Sequence, residues 1–257
     1  MSQETQKEGR FLPEKKKMEA LGRLSCKIAH DYNNILGAIE GYATLAMNGV
    51  TKSDPLRQDL QEIRTSVAKA AAIGKQLIVF GGRQMLHKTP CDVNGIIANM
   101  LKRAELAPGG DFKIEARLEP GIPGIIADAA QLEQALANLL VNAREAMFPA
   151  GAEKQGGGTA IITSSAQRFE GDDVNSPVPR EAGRLFIKVS VRDSGGGISA
   201  EAYERLFEPF FSTKEKGRGS GFGLSTVYGV ARLHNGWVEV KSEPGRGSEF
   251  SLFLPVS

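Results

Sequence analysis

The sequence predicts an α+β chain in which a long helical hairpin precedes a domain with helices on one face of a mixed sheet. Two patterns carry the prediction. From about Lys15 to Phe80 apolar residues recur at threes and fours, with a single break. Beyond Asp92 the texture changes to short segments of both periodicities, separated by glycine and proline. The 257 residues, 41% hydrophobic and 24% charged, suffice for one large domain or two modest ones.

The first helix is expected over Lys15 to Met47, where Leu21, Leu24, Ile28, Ile35, Ile39, Tyr42 and Leu45 form one apolar stripe. Asn48 to Pro55 breaks it, with Ser53 or Asp54 as a candidate N-cap before a proline in the next first turn. A second helix follows from Pro55 to Phe80 and stops at Gly81-Gly82. Two amphipathic helices with a short connection make an antiparallel hairpin, and one hairpin cannot cover both stripes. A second copy would complete a four-helix bundle, so a homodimer is expected.

Residues 1–14 are read as a polar N-terminal segment, 15–88 as the hairpin, and 89–257 as the second domain. In that domain helices are expected at Val93–Leu106, Ala129–Met147 and Gly223–Leu233. Strands are expected at Phe112–Leu118, Ile125–Ala127, Thr159–Arg168, Leu185–Val191, Trp237–Val240 and Glu249–Leu254.

Thirty-two basic and thirty acidic residues nearly cancel, which gives no general attraction to nucleic acid or anionic lipid. Cys26 and Cys91 have no metal-ligand or disulfide-scaffold spacing, and no apolar run approaches the roughly 20 residues of a membrane span. A cytoplasmic setting without a membrane segment is the expectation.

Four segments carry chemistry. In KIAHDYNNIL, His30 lies about 200° from Ile28 around the helix and should face solvent. Asp31 could hold its Nδ1 proton and leave Nε2 as nucleophile, and Asn34 shares the face one turn on. In NLLVNAREAM, Asn138 and Asn142 stand one turn apart. Their oxygens either reach a magnesium ion beside nucleotide phosphates or serve as buried structural hydrogen-bonders. In VRDSGGGIS, Asp193 precedes a glycine turn that would let an adenine approach the backbone and bond the carboxylate. In STKEKGRGSGFGLSTV, Gly217, Gly219, Gly221 and Gly223 alternate before a helix N-terminus, a setting suited to phosphate, with Lys214 and Arg218 adding positive charge. No GxxxxGK[ST] or framed GxGxxG occurs, so the site is neither a P-loop nor a Rossmann fold.

In order, HDYNN, NLLVNA, DSGGG, FEPFFSTK and GRGSGFGLSTV resemble the H, N, G1, F and G2 boxes of sensor histidine kinases, over about Leu21 to Pro255. The resemblance implies a dimerisation and histidine-phosphotransfer hairpin joined to a Bergerat-type α/β sandwich that binds ATP and Mg2+. It implies His30 as phosphoacceptor, Asp31 as its acid/base partner and Asn34 as a phosphatase residue. Asn142 would bind the metal, with Asn138 before it. Asp193, Gly195 and Gly197 would hold the base, Phe210 and Phe211 would be the F box, and Gly219, Gly221 and Gly223 would be lid glycines. The implied partner is the receiver domain of a response regulator. Ser25-Cys26-Lys27 departs from the small residues usual there, and Cys26, four residues before His30, is a candidate redox-sensitive thiol near it. Two alternatives stay open: an ATP-driven conformational protein of the gyrase or Hsp90 kind, and a non-catalytic phosphotransfer scaffold.

Overall fold

A computed structural model of the chain describes residues 15–51, 54–82, 85–105, 112–148, 158–169, 183–213 and 221–256. Helices α1 (Lys15–Gly49) and α2 (Leu56–Phe80) form the antiparallel hairpin. Asp54 caps α2 by accepting from the Leu56 amide at 2.9 Å, while Ser53 lies outside the described residues. The hairpin interior combines small α1 residues, among them Gly22, Ser25, Ala29 and Ala43, with Leu36 of α1 and Leu60 and Leu77 of α2. At its base the backbones nearly touch, because a Cβ on Gly22 would stand 3.3 Å from the Gly81 Cα. An ion pair of 2.7 Å between Arg64 and Glu40 ties the helices further along.

The second unit is a five-stranded sheet with order β2 (Phe112–Leu118), β4 (Gly158–Arg168), β5 (Leu185–Arg192), β7 (Gly247–Pro255), β6 (Trp237–Glu243). The β2–β4 pair is parallel and the other pairs antiparallel. Helices α3 (Val93–Glu105), α4 (Ala129–Met147) and α6 (Gly223–Leu233) supply residues to the core on one face. Register aligns Ile162 with Val191, and both Val191 and Val240 with Phe250, on that face. Ile97, Leu132, Leu136, Leu139 and Val230 fill the core beside them.

Three features go beyond the sequence expectation. A short strand β1 (Thr89–Cys91) pairs with β3 (Ile125–Ala127) despite Pro90, and α5 (Ala200–Tyr203) is a single turn capped by Ser199. Strands β6 and β7 extend toward each other and meet at a turn where Gly245 and Gly247 both take positive φ. The far face of the sheet holds an aromatic cluster, with Trp237 stacked on Phe253 at 4.6 Å and Phe186 and Phe169 edge-on to it.

The hairpin and the second unit share a core. Met18, Val79 and Phe80 belong to the same buried cluster as the sheet. Gly229 of α6 lies flush with the end of α2, and a Cβ there would stand 2.5 Å from the Val79 carbonyl. Phe222, immediately before α6, is buried against Ala29 and Leu77 of the hairpin. Lys17 pairs with Glu208 at 2.7 Å. Burial raises the Glu208 pKa, but Lys17 and Arg205 together outweigh it and hold the carboxylate below its usual range.

A buried histidine joins α4 to α6. The Asp128 amide donates to His234 Nε2 at 2.9 Å, and the opposite ring nitrogen lies 2.8 Å from the Val230 carbonyl. An amide can only donate and a carbonyl can only accept, so Nδ1 carries the proton and the ring is neutral. Asp128 also caps α4 through Gln131 and accepts from the His87 amide at 3.0 Å. Burial, the largest influence, and Lys88 depress the His234 pKa; Val230 and Asp128 pull it the other way without reversing it. The unfolded chain therefore takes up this proton at higher pH than the folded one. Stability should be intact above the ordinary histidine range and fall below it, with a limiting slope of about 1.4 kcal/mol per pH unit. Melting curves between about pH 7.5 and 5.5 should show a steeper loss for the wild type than for His234→Gln. Parallel profiles would show that His234 does not carry the dependence.

Candidate nucleotide site and phosphoacceptor helix

His30 stands on the exposed side of α1, with 74% of its side chain accessible. Its Nδ1 is 3.3 Å from an Asp31 oxygen and 3.5 Å from the Asn34 amide nitrogen. The first contact requires Nδ1–H and the second a bare Nδ1, so they compete for the tautomer. The shorter, charge-assisted bond to Asp31 favours Nδ1–H and leaves Nε2 open to a reactant. Asn33 turns inward against Gly74 of α2, which explains why two adjacent asparagines play different parts. Cys26 does not share the open surface of His30. Its thiol is half-buried against Gly81, because four residues advance about 400° and rotate it roughly 40° toward α2.

The second site lies where α4, the turn after β5 and the start of α6 converge. Asp193 directly follows β5 and is 4% exposed, with Oδ1 accepting from the Gly195 amide at 2.8 Å. Burial raises its pKa against the opposing pull of the Gly195 and Ser248 amides. The glycines after it are required by close packing. A Cβ on Gly195 would stand 2.6 Å from the Ala146 carbonyl of α4, and one on Gly197, at φ +70°, would meet the Glu243 carbonyl. The turn is thus pinned between the end of α4 and the β6–β7 turn, leaving backbone rather than side chain at its surface.

Asn138 and Asn142 face the same side of α4 but are differently employed. Asn138 Nδ2 donates to the Gly223 carbonyl at 3.3 Å, and its Oδ1 accepts from Gln134 at 3.2 Å. Asn142 is half-buried and its side chain has no hydrogen-bond partner among the described residues. The hard oxygen free for a cation is therefore that of Asn142, while Asn138 acts as a strut to α6.

Phe210 takes φ +66° with its ring exposed and 4.6 Å from the Phe222 ring. Its backbone abuts Gly221, where a Cβ would stand 2.5 Å from the Phe210 carbonyl carbon. Phe211 lies under the Arg205 guanidinium at 4.5 Å. Gly223 opens α6 with free space at its Cα. Lys214 and Gly219 lie outside the described residues. Sequence reasoning missed three residues: Phe207, buried in the core, Phe222, seated against the hairpin from the start of α6, and Gln134 beside Asn138. The last had a signal, since glutamine and two asparagines recur every four residues in QALANLLVN.

The donor set fits an adenine nucleotide with its metal: a buried carboxylate beside a bare glycine turn at one end, an uncommitted carboxamide oxygen and a helix N-terminus at the other. Such a site on a sheet covered on one face by helices defines an ATP-binding domain. Residues 127–257 match the family described as histidine kinase-, DNA gyrase B-, and HSP90-like ATPase, and the chain belongs to it. Similarity to sensor histidine kinases runs through the hairpin as well. Sensor kinase CckA of Brucella abortus is 34% identical over 244 residues, covering 95% of this chain and 25% of that protein. Sensory histidine kinase/phosphatase NtrB of Rhodobacter capsulatus is 32% identical over 231 residues, covering 90% and 61%. Among solved structures, full-length ShkA in complex with AMPPNP shares the fold at TM-score 0.59 and 23% identity, over 91% of this chain and 46% of that one. Histidine kinase ThkA in complex with response regulator protein TrrA does so at TM-score 0.52 and 20% identity, over 94% and 64%. The chain spans between a quarter and three fifths of the curated relatives named here.

A carboxylate accepts from a base amine best when ionised, and the raised pKa of Asp193 brings loss of its charge closer to neutrality, so a base contact there would be pH-sensitive. ATP affinity should therefore weaken as pH falls through this raised range. Calorimetric titration should give Asp193→Asn a lower affinity and a flatter pH profile, the nucleotide's own titration being common to both proteins. A variant as pH-sensitive as the wild type would remove Asp193 from the base contact.

Proposed function

We propose that this chain is the kinase core of a two-component sensor, which transfers the γ-phosphoryl group of ATP to His30 and then to an aspartate on a response regulator receiver domain. One observation carries the reading: an exposed histidine, oriented by a carboxylate at 3.3 Å, shares a chain with an ATP-binding domain packed against its own helical hairpin. In the transfer, Nε2 attacks the γ-phosphorus, the bond to the bridging oxygen breaks and ADP leaves. Asp31 holds the Nδ1 proton and stabilises the charge that grows on the ring. Asn142 would hold Mg2+, which when bound neutralises charge on the phosphates. Asp193 with the Gly195 and Gly197 turn orients the base, and the α6 N-terminus meets the phosphate end. We assign the reverse role, positioning water against the regulator's phospho-aspartate, to Asn34, because it shares the open face with His30.

An ATP-driven conformational protein would need a general base to activate water at the Asn138 position. A carboxamide cannot take that proton, and this one is occupied at both ends. The histidine is the better acceptor for the phosphoryl group.

The functional unit we propose is a homodimer in the cytoplasm. No helix among the described residues is long and apolar enough to cross a membrane. Small residues and Leu36 line the buried side of α1, while Leu24, Ile28, Ile35, Ile39, Tyr42 and Leu45 stay exposed, from 41% to 74%. Burying several such side chains is worth about 1.5–3 kcal/mol each, which a second hairpin would supply.

Incubation with γ-labelled ATP should give acid-labile, alkali-stable label on the wild type and none on His30→Gln, which should still bind ATP. Label persisting on that variant would overturn the assignment. In the same assay Asn34→Ala should label normally yet fail to dephosphorylate the regulator. Sedimentation equilibrium should return twice the chain mass for the wild type and the monomer mass for Ile35→Lys/Ile39→Lys; a dimer unaffected by that pair would place the interface elsewhere.

A further inference from the structure

The polarity of the amide chain on α4 can be fixed without ambiguity. The Gly223 carbonyl can only accept, so Asn138 must present Nδ2 to it across 3.3 Å. That turns the Asn138 oxygen toward Gln134, which must then present its own NH2 across 3.2 Å. The order Gln134 to Asn138 to Gly223 is directional, and reversing either carboxamide would set two oxygens or two NH2 groups face to face. Gly223 is the first residue of α6 and follows Gly221, whose φ of +66° and close approach to Phe210 fix the entry of the chain into that helix. One turn beyond Asn138 stands Asn142, uncommitted.

We propose that Gln134 is a positioning residue of the nucleotide site: acting through Asn138, it fixes the start of α6 relative to Asn142. This rests on the ATP site described above. Its physical logic is economy of orientation. Without Gln134, only the bond to the Gly223 carbonyl would resist a flip or swing of the Asn138 amide, and the N-terminal amides of that helix would be held less firmly at a fixed distance from the Asn142 oxygen. With Gln134 donating, only the productive face is presented, and the phosphates meet helix and Asn142 in one register. Gln134 is itself exposed, and its side chain's one hydrogen-bond partner among the described residues is Asn138, so its effect should run through what Asn138 does.

The test is a double-mutant cycle on AMPPNP affinity, using Gln134→Met, Asn138→Ala and the double variant, with ATP KM and kcat for His30 labelling measured alongside. Methionine keeps length, helix propensity and charge but cannot donate. Gln134→Met should weaken AMPPNP about three- to tenfold, the range expected for one lost hydrogen bond, and raise the ATP KM by a like factor with kcat within about twofold. Adding Gln134→Met to Asn138→Ala should cost nothing more, because the second residue is the only route of the first. Nucleotide-free melting of Gln134→Met should match the wild type. The proposal falls if Gln134→Met binds like the wild type, if the two losses multiply, or if melting drops in step with affinity. Absence of any His30 label in the wild type would instead strike the kinase reading and leave the binding cycle interpretable.

Discussion

Helix α6 is buried along most of its length, from Ser225 to Ala231, although it is only 11 residues long. One side packs on α4 and another on α2, so a single helix is wedged between the sheet domain and the hairpin. A helix apolar all round has no solvent face and must be enclosed by its neighbours. Everything at the two sites takes its bearings from that enclosure. The carbonyl at the first residue of α6 receives Asn138, its C-terminal His234 accepts from the amide of the Asp128 cap of α4, and Phe222 just ahead of it enters the hairpin one residue from His30. Shifting α6 moves the Asn138 end of the candidate nucleotide site and the helix that carries His30 together.

The same arrangement separates what is rigid from what must approach. Asp193 and the glycine turn are clamped between α4 and the β6–β7 turn by contacts of backbone on backbone. His30, by contrast, is held by no more than its neighbours on the same helical turn. Lys17 with Glu208 and Arg232 with Glu19, 2.7 and 4.0 Å apart, join partly exposed groups across the junction. Pairs of this kind contribute little and are screened by salt. The apolar seat of Phe222 and the Gly229 contact therefore carry the junction more than its charges do.

The sequence was most informative where one period ran long. The hairpin stripe, the α4 pattern and the alternation of LFIKVSV gave the elements, and the outward turn of His30 follows from helical angle alone. Tertiary facts were hidden from it. Asn138 and Asn142 are identical in type and share a helix face, and only the position of Gly223 makes one a strut and leaves the other free. Phe207, Phe210 and Phe211 stand within five residues of each other, yet one is core, one is exposed in a left-handed backbone, and one lies under an arginine. The thiol of Cys26 lies near His30 in sequence but off its open face, because the roughly 40° offset of a four-residue step is enough to set it against Gly81 at the end of α2. The aromatic cluster on the far face escaped notice because Phe169, Phe186, Trp237 and Phe253 come from four separate segments.

Gly229 gives the junction an unusual genetic property. Within a helix, alanine is favoured over glycine by about 1 kcal/mol, so on the ATP-binding domain alone an added methyl group would be a modest improvement. In the whole chain the same methyl meets the Val79 carbonyl at 2.5 Å and the Phe80 Cα at 2.7 Å, and the rigid backbone of α2 has little room to yield. The sign of the substitution reverses with the presence of the hairpin. Selection acting on the stability of the isolated domain would discard this glycine, and only selection on the joined protein retains it. The residue is thus a mark, within one domain, of the company that domain keeps.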